Sequence, residues 1–191
     1  NWGVLSTANI GKTVTIPAML KANNCNLYGI ASRNLDKAKE FQDLFGFDNV
    51  YGSYEDLLDD ENIDVVYIPL PNHIHGEWIK KAAKAGKHIL CAKPITASMK
   101  ELQEVIDVCN ENKVILMEAF AYLHSPIIKE IKQVIKNGEI GDITFIEATF
   151  VSPTPPTTNI RMRKETLGGS IYDLGCYPIS LILNFMNEKP I

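Results

Sequence analysis

The sequence predicts an α/β chain: a doubly wound parallel sheet, followed by the beginning of an α+β domain with an open, mainly antiparallel sheet. Short apolar, β-branched runs alternate with segments of helical period through the first two thirds, the signature of repeated βαβ units. Near residue 123 that alternation stops. Beyond it a run at 144–151 alternates polar and apolar residues, as a half-exposed strand does. The division expected is therefore residues 1–122 as one domain and 123–191 as the start of a second.

The elements follow in order. Trp2–Leu5 reads as the first strand, residues 10–22 as a helix and 26–31 as the second strand. Leu35–Phe45 has helical period, with Leu35, Ala38, Phe41, Leu44 and Phe45 on one face and Asn34 suited to cap it. An extended piece at Asn49–Tyr51, a helical turn at Tyr54–Leu58 and a strand at Val65–Ile68 come next. A helix over 74–85 stops at Gly86, a residue suited to a left-handed cap. After the strand His88–Cys91, Ser98 and Glu101 stand at capping-box spacing and open a helix to about Asn110. A sixth strand is expected over 114–117 and a helix over 125–136, ending at Gly138. Residues 152–158 are rich in proline and threonine, and 171–185 are apolar and helical. One strand and one helix cannot bury the inner face of a sheet, so the native sequence is expected to continue past Ile191.

Composition narrows the function. The net charge is −4 and the pI near 5.6, without the basic face that nucleic acid or an anionic membrane requires. Cys25, Cys91, Cys109 and Cys176 lie far apart with no C-x-x-C pair, which points to reduced cysteines and no zinc. No run approaches the ~18 apolar residues of a membrane span, and the N-terminus lacks the plan of a signal peptide. A cytoplasmic protein without a membrane or nucleic-acid partner is expected.

Ser6-Thr7-Ala8-Asn9-Ile10-Gly11 lies between the first strand and first helix, where a G-x-G-x-x-G turn turns backbone N–H groups toward a pyrophosphate. Gly11 alone keeps the glycine pattern, and an ordinary tight turn is the competing reading. At the end of the second strand, Ser32 and Arg33 stand where an NAD site usually carries a carboxylate. A hydroxyl and a guanidinium suit a 2′-phosphate, so NADP is the preferred cofactor, with NAD possible; a solvated Arg33 is the alternative. After the fourth strand, Leu70, Pro71, Asn72 and His75 form a rigid turn placed to meet ribose or phosphate. His73 and His75 lack a third ligand, so no metal is expected.

Lys93-Pro94 ends the fifth strand, and Tyr177 opens the last helical run. Hydride transfer to or from a secondary alcohol needs a group that moves the hydroxyl proton, and an unperturbed phenol near pKa 10 is a poor base at neutral pH. A neighbouring ammonium favours the phenolate. Lys93 and Tyr177 are therefore a candidate proton-transfer pair, with Asp173 one helical turn before Tyr177 to orient substrate or lysine.

Together these segments resemble the glucose-fructose oxidoreductase and inositol dehydrogenase family (Gfo/Idh/MocA), nearest its branch of dimeric dihydrodiol and aldose dehydrogenases. The resemblance rests on Trp2 through Gly11, Pro71-Asn72 through His75, Cys91-Ala92-Lys93-Pro94, Met117-Glu118-Ala119-Phe120, and Gly168 through Tyr177. It implies a Rossmann domain followed by a substrate domain whose open sheet builds a homodimer or homotetramer. It also implies oxidoreduction of a sugar, polyol or diol. Ala92 stands where the family carries glutamate and Leu123 where relatives often carry arginine, which leaves the substrate open. Glu118 is a candidate for cofactor or pocket, and Tyr122, His124 and Arg161 for the substrate pocket. Tyr122 is equally readable as core, and His124 or Arg161 as surface groups. A non-catalytic nucleotide-binding regulator and a structural subunit are the alternative functions.

Overall fold

The computed structural model describes residues 1–186, and the chain divides into two compact units, Asn1–Glu118 and Ala119–Ile191. In the first unit the strands are β1 (Trp2–Leu5), β2 (Leu27–Ala31), β3 (Asn49–Tyr51), β4 (Val65–Ile68), β5 (His88–Cys91) and β6 (Leu116–Glu118). Its helices are α1 (Ile16–Met19), α2 (Leu35–Phe45), α3 (Tyr54–Leu58), α4 (His75–Lys84) and α5 (Met99–Glu111). The strands form one parallel sheet in the order β3-β2-β1-β4-β5-β6. The chain winds outward from β1 to β3, then returns to place β4 on the other side of β1. That reversal opens a crevice at the carboxyl ends of β1 and β4, where open α/β sheets of this winding bind ligands.

Both faces of the sheet are buried, which is why its strands read as nearly continuous apolar runs. Val4, Ile30 and Tyr67 pack on one face against Ile16, Met19, Ala38 and Phe41. Leu5, Ala31, Val66 and Ile68 pack on the other with Leu57, Trp78, Ile79 and Val105. Gly3 and Gly29 pair in register, and a Cβ at Gly3 would stand 2.6 Å from the Leu57 side chain, so the missing side chain lets α3 close on the sheet. Lys87 is buried and directs its ammonium to the carbonyls of Asp60 (2.7 Å) and Ile63 (2.9 Å).

Helix ends follow the expected chemistry. Asn34 accepts the Lys37 N–H at 3.2 Å and Ser98 accepts the Glu101 N–H at 3.2 Å. Gly86 closes α4 at φ 74°. Several boundaries differ for local reasons. The expected helix over 10–22 is a π-helical stretch, Gly11–Thr15, that continues as the short α1. Pro17 has no N–H to offer the Thr13 carbonyl, the Thr13 hydroxyl donates to Asn9 O at 2.9 Å, and the Ile16 N–H reaches back to Gly11. Asn72–Ile74 is a 3-10 turn leading into α4. Leu35 and Leu44 point to solvent, leaving Ala38 and Phe41 as the buried stripe of α2. The sixth strand starts later than expected because Val114 is used to close α5, its N–H bonding Cys109 O after Lys113 turns through φ 56°.

The second unit contains α6 (Pro126–Lys136), which begins after Ser125 and is followed by Gly138 at φ 73°, and α7 (Cys176–Met186), entered through a π-helical stretch Ile171–Gly175. Residues 144–151 form no strand. An extended segment becomes a strand only by bonding a neighbour, and no neighbouring strand stands beside it among the described residues. The expected antiparallel sheet is thus absent from the described part of this unit. All four cysteines are free, with Cys91 and Cys109 buried and Cys25 and Cys176 half-buried.

Candidate active site

Five segments singled out by sequence leave the carboxyl edge of the first unit's sheet. The turn after β1 places Ser6 at φ 118°, a left-handed conformation that favours glycine, although the residue is serine. Its N–H bonds Ala31 O at 3.0 Å and its hydroxyl donates to Pro69 O at 3.3 Å, tying the ends of β1, β2 and β4 together. Strain of this kind persists where the surroundings over-determine it. The backbone at Ser6 thus takes a glycine-type conformation at the end of β1. Thr7 and Ala8 are half-buried, and Asn9 and Ile10 are exposed at the entrance to the helical stretch.

After β2, Ser32 is buried and its hydroxyl oxygen accepts the Asn34 N–H at 3.2 Å. Arg33 is exposed and hydrogen-bonds the Tyr54 hydroxyl; burial raises the Tyr54 pKa, which the guanidinium opposes. The turn therefore presents Arg33 to a ligand more readily than Ser32. After β4, the Leu70 side chain belongs to the core, so only its backbone is available to a cofactor. Pro71 and Asn72 are half-buried at the start of the 3-10 turn.

His75 corrects the expectation. It is fully buried, with Nδ1 2.8 Å from Pro94 O and Nε2 2.8 Å from Leu70 O; the neutral ring carries one N–H and donates to one of these carbonyls, and only the protonated ring donates to both. An imidazole so enclosed has no nitrogen left for ribose or phosphate. Burial lowers its pKa, while the two carbonyls and the Glu101 carboxylate act against that and His73 adds to it.

The loop after β5 carries Lys93 and Pro94, both half-buried and joined by a cis peptide bond. Glu118, at the end of β6, accepts the Ile95 N–H at 2.8 Å. Burial raises the Glu118 carboxyl above its ordinary value; the Ile95 amide and the Lys93 ammonium pull it down. Sequence reading placed Glu118 by resemblance alone, with no signal that it grips this loop.

In the second unit Tyr177 lies at the start of α7, ringed by aromatic side chains. Phe150 and Phe120 meet it edge-on at 5.2 and 5.4 Å between ring centres, and Tyr122 lies at 6.2 Å. Burial raises the Tyr177 pKa, Cys176 and the Asp173 carboxylate raise it further, and Arg161 opposes them. Asp173 pairs with Arg161 at 3.0 Å. The Gly168-Gly169 turn folds onto the Arg161 backbone, where the Gly169 N–H bonds Arg161 O at 2.7 Å. Tyr122 combines packing with polarity, its hydroxyl 2.7 Å from Ser180 Oγ. His124 is exposed at the edge of an open groove shared with Leu123, Pro126 and Lys129. Phe120 and Phe150 were not anticipated, since isolated aromatic residues in irregular segments carry no periodic signal.

A parallel sheet wound in this order, with a strained glycine-type turn at its switch point, defines a Rossmann-type fold. The chain belongs to the Gfo/Idh/MocA family: residues 1–120 match the model of the oxidoreductase family with an NAD-binding Rossmann fold, and residues 128–191 match the GFO/IDH/MocA C-terminal domain. It is 39% identical over 186 residues to the D-xylose 1-dehydrogenase (NADP(+)) 2 of Haloferax volcanii, covering 97% of this chain and 57% of that protein. It is 34% identical over 191 residues to the trans-1,2-dihydrobenzene-1,2-diol dehydrogenase of Xenopus laevis, covering 99% and 58%. The crystal structure of KijD10, a 3-ketoreductase from Actinomadura kijaniata in complex with NADP and TDP-benzene, superposes with a TM-score of 0.92 at 35% identity, covering 97% of this chain and 57% of that one. The chain thus spans just over half the length of these relatives.

Proposed function

We propose that the protein is an NADP-preferring oxidoreductase that interconverts a hydroxyl and a carbonyl on a sugar, polyol or diol, with NAD as a weaker alternative cofactor. The observation that carries this reading is the glycine-type turn at Ser6, set at the switch point of the sheet beside the strand ends that bear Arg33, Asn72 and Lys93. Ser6 through Ile10 would hold the pyrophosphate through their backbone, Arg33 the 2′-phosphate, and Leu70, Pro71, Asn72, Lys93, Pro94 and Glu118 the remaining nucleotide. When bound, the cofactor supplies or accepts the hydride. The NADP named for the xylose dehydrogenase and present with the ketoreductase supports the preference.

Tyr177 is the proposed proton carrier. Burial keeps its phenol protonated through the neutral range, which suits donation to a carbonyl oxygen in the reductive direction. Oxidation requires the opposite shift, and the Lys93 ammonium is the group proposed to provide it. Asp173, paired with Arg161 at 3.0 Å, is the group proposed to orient the substrate or Lys93, and Tyr122, His124 and Arg161 are the proposed substrate contacts. Assembly through the C-terminal domain as a homodimer or homotetramer is part of the same proposal; a monomer by light scattering would remove that part.

The test is NADPH consumption across a panel of aldoses, ketoses and diones. A substrate should emerge, and Tyr177→Phe should lower its turnover by roughly 10²- to 10⁴-fold. No consumption with any substrate would favour the non-catalytic reading, and unaltered turnover in the variant would move the proton to another group.

A further inference from the structure

His75 is fully buried at the start of α4, yet it is not spent on the core. Its two nitrogens reach the backbones of two different loops, Leu70 O after β4 and Pro94 O after β5. The peptide group that begins with Pro94 C=O ends with Ile95 N–H, and that N–H is taken by Glu118 at 2.8 Å. One peptide group is thus gripped at both ends by side chains from distant parts of the sequence: an imidazole at its oxygen and a carboxylate at its nitrogen. The residue immediately before it is Lys93.

A loop peptide carries free rotation about φ and ψ on either side, and each side-chain bond to it removes part of that freedom. Bonds at both ends fix the plane of the peptide as well as its position. A charge-assisted bond from an N–H to a carboxylate is stronger than a neutral one, so the Glu118 end is the firmer anchor. The His75 end adds registry, because the same ring packs its other nitrogen 2.8 Å from the Leu70 carbonyl of the loop that follows β4. Its orientation is set in turn by α4, and the Glu101 carboxyl of α5 lies directly against Gly76, where a Cβ would collide with it. Gly76 therefore leaves room for that carboxyl beside the start of α4.

We propose that His75 and Glu118 are positioning residues that hold Lys93 in place by clipping the Pro94–Ile95 peptide, and that His75 couples this loop to the nucleotide-contacting turn at Leu70–Asn72. The role assigned to Lys93 rests on the function proposed above; the clip itself does not. In this role neither side chain needs to touch substrate, and His75 acts wholly through backbone.

Two measurements on the native protein separate these levels. Hydrogen exchange of the peptide spanning residues 92–96 reads the clip without turnover. Exchange there should accelerate at least tenfold in His75→Leu and in Glu118→Ala, and return toward the native rate in His75→Gln, whose amide N–H can still donate to a carbonyl. Kinetics read the consequence. Displacing a catalytic group by about 1 Å costs on the order of 10²-fold, so kcat should fall by about that factor in His75→Leu and Glu118→Ala and recover in His75→Gln. Native exchange at 92–96 in a folded Glu118→Ala or His75→Leu variant overturns the proposal. So does native kcat in an enzyme that is otherwise active. If His75→Leu does not fold, Glu118→Ala decides alone, since Glu118 is only half-buried. Accelerated exchange in a protein that turns over no substrate would uphold the clip and reject the activity.

Discussion

At the residue scale, the chemistry of the first unit turns on how side chains are engaged by backbone. Ser6 shows that a turn can keep the conformation of a glycine pattern after losing the glycine, because its N–H and hydroxyl are both bonded to neighbouring strand ends. Arg33 is the exposed cation at the β2 turn, and Arg33→Ala is expected to weaken NADPH binding by about 1.5 to 3 kcal/mol, the worth of a hydrogen bond to a charged group. NADH binding should stay nearly unchanged; calorimetry with both cofactors gives the comparison, and equal losses would reject the assignment. The positions of Arg33 and Lys93 just past strand ends were legible in the sequence, since a strand and its end are local signals. His75 was misread. Its position in the turn was clear, but only the packed structure reveals that Leu70 and Pro94 occupy both of its nitrogens.

At the element scale, caps and helix ends carry measurable weight. Ser98→Ala removes the acceptor for the Glu101 N–H at the start of α5 and should lower stability by about 1 kcal/mol. At the other end of the same helix Lys113 is exposed at φ 56°, so Lys113→Gly relieves a left-handed conformation and should raise stability by about 1 kcal/mol. Chemical denaturation of the two variants side by side should move the midpoints in opposite directions. The Ser98 cap was readable from side-chain type and spacing, as was the sheet-forming character of β1, β4 and β5, whereas nothing local marked Lys113 as left-handed. The π-helical stretch before α1 was harder to read, because it depends on Pro17, Thr13 and the bonds they redirect acting together. Residues 144–151 carry the alternation of a strand without being one, since alternation describes a surface and a strand also needs a neighbour.

At the scale of the whole molecule, burial couples His75 to folding. Its pKa lies below the ordinary 6.5, chiefly through desolvation, with Glu101 raising it and His73 lowering it further. A depressed folded-state value means that the stability tied to the neutral ring is fully present above pH 6.5 and is lost as pH falls through the folded value. Urea midpoints taken between about pH 7.5 and pH 5 should therefore decline, and His75→Gln should flatten that decline; an unchanged slope in the variant would place the acid sensitivity elsewhere. The sequence by itself determined the winding of the first unit, the family of the chain and the residues at its strand ends. Periodicity, caps and ordered short motifs are written within a few residues of one another. Only the tertiary structure decided which polar groups are consumed by backbone. Pro94, Leu70 and Glu118 meet the α4 entrance and its neighbouring loop across separations of 5 to 23 residues, and such pairings follow from how β4, β5 and β6 stack in the sheet rather than from any local pattern.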